Sequence, residues 1–215
     1  MLTHNDQTVP NALEVFEECK DAPVEYWGFK DVGLPIDKMK ELIKAMKDAG
    51  KTTCLEVVRY TETECLESAR LALECGFDYL MGTIFYSSVN DLLKNRPIRY
   101  TPFCGRVSGS PSVLEGSILE IIDDAKRIAT YGVDGFDLLA YRYVGDPEEL
   151  TREFIAEVNT KVIMAGSIAS FDRLDRVKEL NPWAFTIGSA FFTNKFGKDT
   201  SIREQIEKVV EYLNR

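Results

Sequence analysis

The chain has 215 residues, of which 45% are hydrophobic and 28% charged, enough apolar material for one sizeable core. Its net charge of −9, with lysines and arginines scattered along the sequence, argues against a nucleic-acid partner, because such binding needs a concentrated positive patch. No apolar run approaches the ~20 residues that span a bilayer, and acids and polar groups occupy the first twenty positions, where a signal peptide needs an apolar run. A cytoplasmic protein with no membrane partner is therefore expected.

The elements alternate along the whole chain, with short β-rich runs followed by segments of helical period that end near Gly, Asn or Pro. Met1–Asp6 is followed by a helix from Pro10 to Cys19, and Val24–Lys30 by a helix over Ile36–Ala49. Thr52–Val58 leads into Glu62–Cys75, and Asp78–Thr83 into Ser88–Lys94. Ile98–Cys104 is followed by an irregular stretch, Gly105–Glu115, and then a helix over Gly116–Tyr131. The last units are Gly135–Tyr141 with Pro147–Val158, Lys161–Ala165 with Phe171–Glu179, and Ala184–Ile187 with Ser201–Asn214. Eight such units predict a single-domain α/β protein, a parallel eight-stranded (β/α)₈ TIM barrel over residues 1–215. A doubly wound open sheet is the competing architecture. It would carry a glycine-rich turn after the first strand, and Asn5–Thr8 has no glycine.

In such a barrel the working residues sit at the C-terminal ends of the strands and in the loops beyond them. The Gly105–Glu115 stretch is then expected to be a functional loop over the mouth. Gly166–Ser167 follows the seventh strand and Gly188–Ser189 the eighth. A glycine there lets backbone approach a ligand closely, and exposed N–H groups beside a helix start suit a dianion. These two turns are expected to bind the phosphate of a small phosphorylated substrate.

Lys30 shares a strand face with Tyr26 and Gly28, and Glu56 is an acid inside the apolar run Cys54–Val58. Adjacent strands would bring the two together, as an acid–base pair or as a buried ion pair. Asp137, in Gly135–Leu139, is a second strand acid and a candidate base on the opposite wall. Arg142, with Arg59 and Arg106 as alternatives, is a candidate clamp for an anionic group. His4, the sole histidine, reads either as a general acid or base or as part of a helix-capping turn.

Cys104 has no nearby histidine in sequence and reads as a packing thiol. The five cysteines form no C-x-x-C pair and are expected to be free; zinc is not expected, and no cofactor is.

The pairing of Ala165–Gly166–Ser167–Ile168 with Thr186–Ile187–Gly188–Ser189–Ala190 resembles the ribulose-phosphate-binding barrel superfamily. It is nearest the N-acylmannosamine-6-phosphate 2-epimerase-like branch, where a lysine near the end of strand two can take part in catalysis; Gly28–Phe29–Lys30 is similar. That branch's cysteine and histidine turn after strand one is absent here, so the substrate stays open. The resemblance implies an epimerase or isomerase of a sugar phosphate or sugar acid working by proton transfer. The alternatives are a Schiff-base aldolase using Lys30, and a non-catalytic phospho-ligand sensor resembling glycerol-phosphate-responsive antiterminators. A homodimer through apolar helix faces is left open.

Overall fold

The computed structural model describes residues 1–215. Its elements are β1 (Thr3–His4), β2 (Gln7–Thr8), α1 (Ala12–Cys19), β3 (Tyr26–Lys30), α2 (Ile36–Asp48), β4 (Thr52–Glu56) and α3 (Glu62–Cys75). They continue with β5 (Tyr79–Met81), α4 (Ser87–Leu93), β6 (Arg99–Thr101), β7 (Arg106–Ser108), β8 (Val113–Glu115), α5 (Ile118–Ala129) and β9 (Gly135–Leu138). A 3₁₀ turn, Ala140–Arg142, precedes α6 (Pro147–Glu157), β10 (Lys161–Met164), α7 (Phe171–Leu180), β11 (Ala184–Phe185), α8 (Ser189–Phe192) and α9 (Ile202–Leu213). No helix is long and apolar enough to cross a membrane.

Local chemistry explains many of the boundaries. Thr61, Ser117 and Ser201 each form a reciprocal capping box with the glutamate three residues on, which starts α3, α5 and α9. Asp146 caps α6 ahead of Pro147, a residue preorganised for the first helical position.

The strands assemble into two parallel sheets, β3–β4–β5–β6 and β9–β10–β11. One continuous eight-stranded barrel, as the sequence predicts, is not formed. Two causes are visible. The first segment turns back at Asn5–Asp6, both with positive φ, into the antiparallel hairpin β1–β2. The eighth strand shrinks to two residues. Isolated backbone bonds cross the seams: Asp137 N–H to Pro102 O at 3.0 Å on one side, and Leu2 N–H to Gly28 O at 2.7 Å on the other.

Strand alternation sorts the side chains. Trp27, Phe29, Leu55 and Leu80 face the helices in one buried cluster; Phe136, Leu138, Val162 and Met164 do so in a second. The opposite faces of the two sheets meet, with Cys54, Tyr79, Met81 and Ile163 packed together. The Gly105–Glu115 stretch contains a further antiparallel hairpin, β7–β8. Its tip is tied down by the Tyr60 hydroxyl, which donates to Gly109 O and pairs with Ser112 Oγ at 2.8 Å.

The seam between β6 and β9 depends on a side chain. Asp134, just before β9, accepts the Tyr100 N–H at 2.8 Å, while its own N–H donates to Tyr100 O at 2.9 Å. Asp134→Ala strands a buried N–H, so it is expected to cost about 1–3 kcal/mol of stability. Urea denaturation checks the cost, and faster hydrogen exchange at the Tyr100 amide locates it.

Candidate functional site

A cavity of about 400 Å³ opens at the C-terminal ends of the strands. The register of β3 against β4 places Lys30 directly opposite Glu56. Lys30 is buried, its Nζ 3.3 Å from Glu56 Oε1 and 2.9 Å from Asp6 Oδ1. Arg142 Nη2 reaches the same Asp6 oxygen at 3.2 Å, so Asp6 bridges two cations. Burial works to raise the Asp6 pKa, but Lys30 and Arg142 outweigh it and hold the carboxyl below its ordinary value.

Burial likewise works to discharge Lys30. Glu56 and Asp6 more than offset it, and the ammonium sits above its ordinary pKa. Burial therefore does not make Lys30 a low-pKa amine, because its carboxylate neighbours favour the charged form.

Asp137 lies deeper, fully enclosed, with neither carboxyl oxygen hydrogen-bonded. Burial, reinforced by the negative charge of Glu56, pushes its pKa well above the ordinary carboxylate range. That shift favours the protonated acid. In that state it suits a proton donor better than the base expected of it.

The two glycine-serine turns line the same cavity as Lys30, Glu56 and Arg142. Gly166 has φ +88° and Ser167 φ +51°, so both are left-handed. A β-carbon at Gly166 would lie 2.9 Å from Arg142 Cγ, so the glycine is also what lets the arginine pack over this turn. The N–H groups of Gly166, Ser167, Gly188 and Ser189 donate to no acceptor within the protein. Ser167 and Ser189 are exposed and the two glycines half-buried, so these donors are open to water or to a ligand in the mouth.

Four cationic side chains line the cavity, Lys30, Arg142, Arg173 and Lys195, against two carboxylates, Asp6 and Glu56. The site is thus locally positive in a chain whose net charge is −9. Arg173 and Lys195 are not evident from strand-end reasoning. Arg173 sits in the first turn of α7, where the helix dipole disfavours a cation; that placement is the sequence signal that could have flagged it. Its guanidinium donates to Ser167 O and lies 4.6 Å from the Tyr141 ring centre.

Like Asp137, three further candidates do not line the cavity. His4 is half-buried with its ring 6.1 Å from that of Phe192, and its Nδ1 has no partner. Arg59 pairs with Asp31 at 3.1 Å. Arg106 is exposed on β7, and from that hairpin it is Pro111 that reaches the cavity. Cys104 is buried, its thiol pKa raised by burial, as a packing residue requires; all five cysteines are free.

No protein-family model matches the sequence, nor does any curated protein. Solved structures do resemble it. "Native KDPGal structure" superposes with a TM-score of 0.69 at 11% identity, over 96% of this chain and 90% of that one. N-(5'-phosphoribosyl)anthranilate isomerase from Pyrococcus furiosus gives 0.65 at 15%, over 94% of both chains. A 4-hydroxy-2-oxoglutarate aldolase/2-deydro-3-deoxyphosphogluconate aldolase from TTHB1 gives 0.61 at 19%, over 93% and 85%. These are TIM-barrel proteins, and the likeness shows a shared α/β fold.

The protonation of Asp137 has a measurable sign. An unfolded aspartate titrates near ~3.9, so between that pH and its raised native pKa the folded chain holds one extra proton. Stability from this group falls as pH rises through that window, by about 1.4 kcal/mol per pH unit. Asp137→Asn carries no such proton, so its stability relative to the parent should climb from about pH 4 upward and then level off. Denaturant titrations of both proteins across pH read this directly; a difference independent of pH would mean an ordinary aspartate.

Proposed function

We propose that the chain is a phosphate-binding enzyme of the (β/α)₈ class, acting on a small phosphorylated sugar or sugar acid as an epimerase or isomerase. One observation carries the reading: four unpaired backbone N–H groups, at Gly166, Ser167, Gly188 and Ser189, line one locally positive cavity. Unpaired amide hydrogens gathered beside cationic side chains suit a dianion, and phosphate is a biological dianion of that size.

The substrate's carbonyl end then lies toward Lys30 and Glu56. Glu56 takes the proton from the carbon next to the carbonyl, and the Lys30 ammonium stabilises the negative charge that develops on the oxygen. Return of the proton to the same carbon from another face gives an epimer; return to the neighbouring carbon gives an isomer. Protonated Asp137, behind Glu56, is the reserve donor. Arg142 joins the two halves of the site, since it packs on the Gly166 turn and pairs with Asp6.

One of the similar structures is an aldolase by name, which keeps an imine-forming Lys30 as the second reading. It requires a neutral amine, and Asp6 and Glu56 both oppose that. Borohydride reduction with a 2-keto acid separates the two readings: a stable adduct at Lys30 favours the aldolase, and none is expected.

Inorganic phosphate and a panel of phosphorylated sugars and sugar acids are expected to raise the melting temperature, and Ser167→Asp to abolish the shift. An unchanged melting temperature with every phosphorylated compound sinks the reading. With a turned-over substrate in hand, Lys30→Met and Glu56→Gln should each lower kcat by about 10²–10⁴-fold. Steady-state kinetics should show KM nearly unchanged for Glu56→Gln, because that residue does not belong to the phosphate cradle.

A further inference from the structure

We infer that the substrate carries an apolar alkyl or aryl group beyond its phosphorylated portion, housed in a second cavity that adjoins the first. This rests on the phosphate-binding reading above and narrows its substrate class.

The second cavity has a volume of about 190 Å³, and 20 of its 22 lining residues are hydrophobic. It runs beside β11 from the polar mouth toward the N-terminal edge of the sheets. There Tyr26, Tyr79 and Trp183 pack ring to ring, at centroid distances of 5.7–6.1 Å. Two residues, Met1 and Thr186, line both cavities. The wall changes character within a few residues of one segment. Gly188, Ser189 and Ala190 border the polar cavity; Phe191 and Phe192, next along α8, border the apolar one, facing Ile206 and Val210 of α9.

Protein interiors rarely leave such a space unfilled, because wall atoms facing a void lose their dispersion partners. Water is a poor filler, since an ordered water needs two to four polar partners and this wall supplies few. A dry apolar cavity of about 150 Å³ takes up a benzene-sized molecule, so this one has room for an aryl ring or a short alkyl chain. The shortness of β11 creates the room: a longer eighth strand paired along the β1 side would close the gap that the two helices now roof. An anion seated on the Gly188–Ser189 turn would lie one helical turn from Phe191 and Phe192, which border the apolar cavity. A molecule with a charged phosphate and an apolar substituent matches both spaces at once, whereas a bare sugar phosphate leaves the second empty.

Isothermal titration with inorganic phosphate and with methyl, butyl, hexyl and phenyl phosphate tests this. Affinity should rise about fourfold per methylene as the chain enters the cavity. Val210→Phe fills the space from α9 and should flatten the series while leaving inorganic phosphate binding unchanged. Ala184→Leu, on the opposite wall, gives a second reading should the first variant fold poorly.

If phosphate binds but the series is flat in the parent protein, the inference is overturned and the phosphate site survives. If the series climbs equally in both filled variants, the tail lies elsewhere and the inference is again overturned. If neither phosphate nor any ester binds, the phosphate-binding reading itself has failed.

Discussion

The β3–β4 register is the constraint from which the site follows. Parallel pairing puts Lys30 opposite Glu56, and strand alternation turns both away from the helices toward the enclosed face of the sheets. A buried ammonium is costly unless anions surround it, and here two do, with the hairpin residue Asp6 supplying the second. Slipping the register by one residue would send Lys30 into the helix-facing core beside Phe29 and bring that ring into the mouth. The ion cluster and the hydrophobic layer therefore specify the same register.

The same cluster sets the state of its neighbours. Glu56 pairs with Lys30, and after burial its proximity is the next cause that pushes the Asp137 pKa upward. The two carboxyl groups thus differ in environment: Glu56 has a cation at 3.3 Å, whereas Asp137 is enclosed without a hydrogen-bond partner and its pKa is raised. An enzyme that moves a proton off carbon and back needs one group of each kind near the reacting atom. Asp6, between Lys30 and Arg142, is fixed as an anion and works as a strut that positions the two cations.

Much of this was legible in the sequence because it depends on local periodicity. Alternation along Val24–Lys30 and Thr52–Val58 identified the shared face of Lys30 and Glu56, and the Gly-Ser pairs after the last two strands proved to border one cavity. The closed barrel was not legible, since closure depends on how many residues of the first and last strands pair. The Asn5–Asp6 turn shortens one of these and the Gly188 turn the other. An Asn-Asp pair between short polar-apolar runs is a hairpin signal, though it is weak in a segment of eight residues. His4 misled for the same reason: once the chain reverses, its ring packs beside Phe192 instead of entering the mouth. The raised pKa of Asp137 could not be read from sequence at all, because it depends on burial and on the neighbouring Glu56, both products of the tertiary fold.

The local charge balance shows how an acidic chain can hold an anion. Most of its carboxylates sit on exposed helix faces, where solvent and salt screen them over roughly 8–10 Å. Lys30, Arg142, Arg173 and Lys195 instead converge on one concave, partly desolvated region, and two carboxylates there are already committed to cations. Within that region the near field is positive even though the far field is negative. An anionic ligand is therefore repelled weakly at long range and attracted strongly at contact. For the phosphate ligand proposed above, that combination would disfavour long polyanions, which must lie along the acidic exterior, and favour a single small dianion at the mouth.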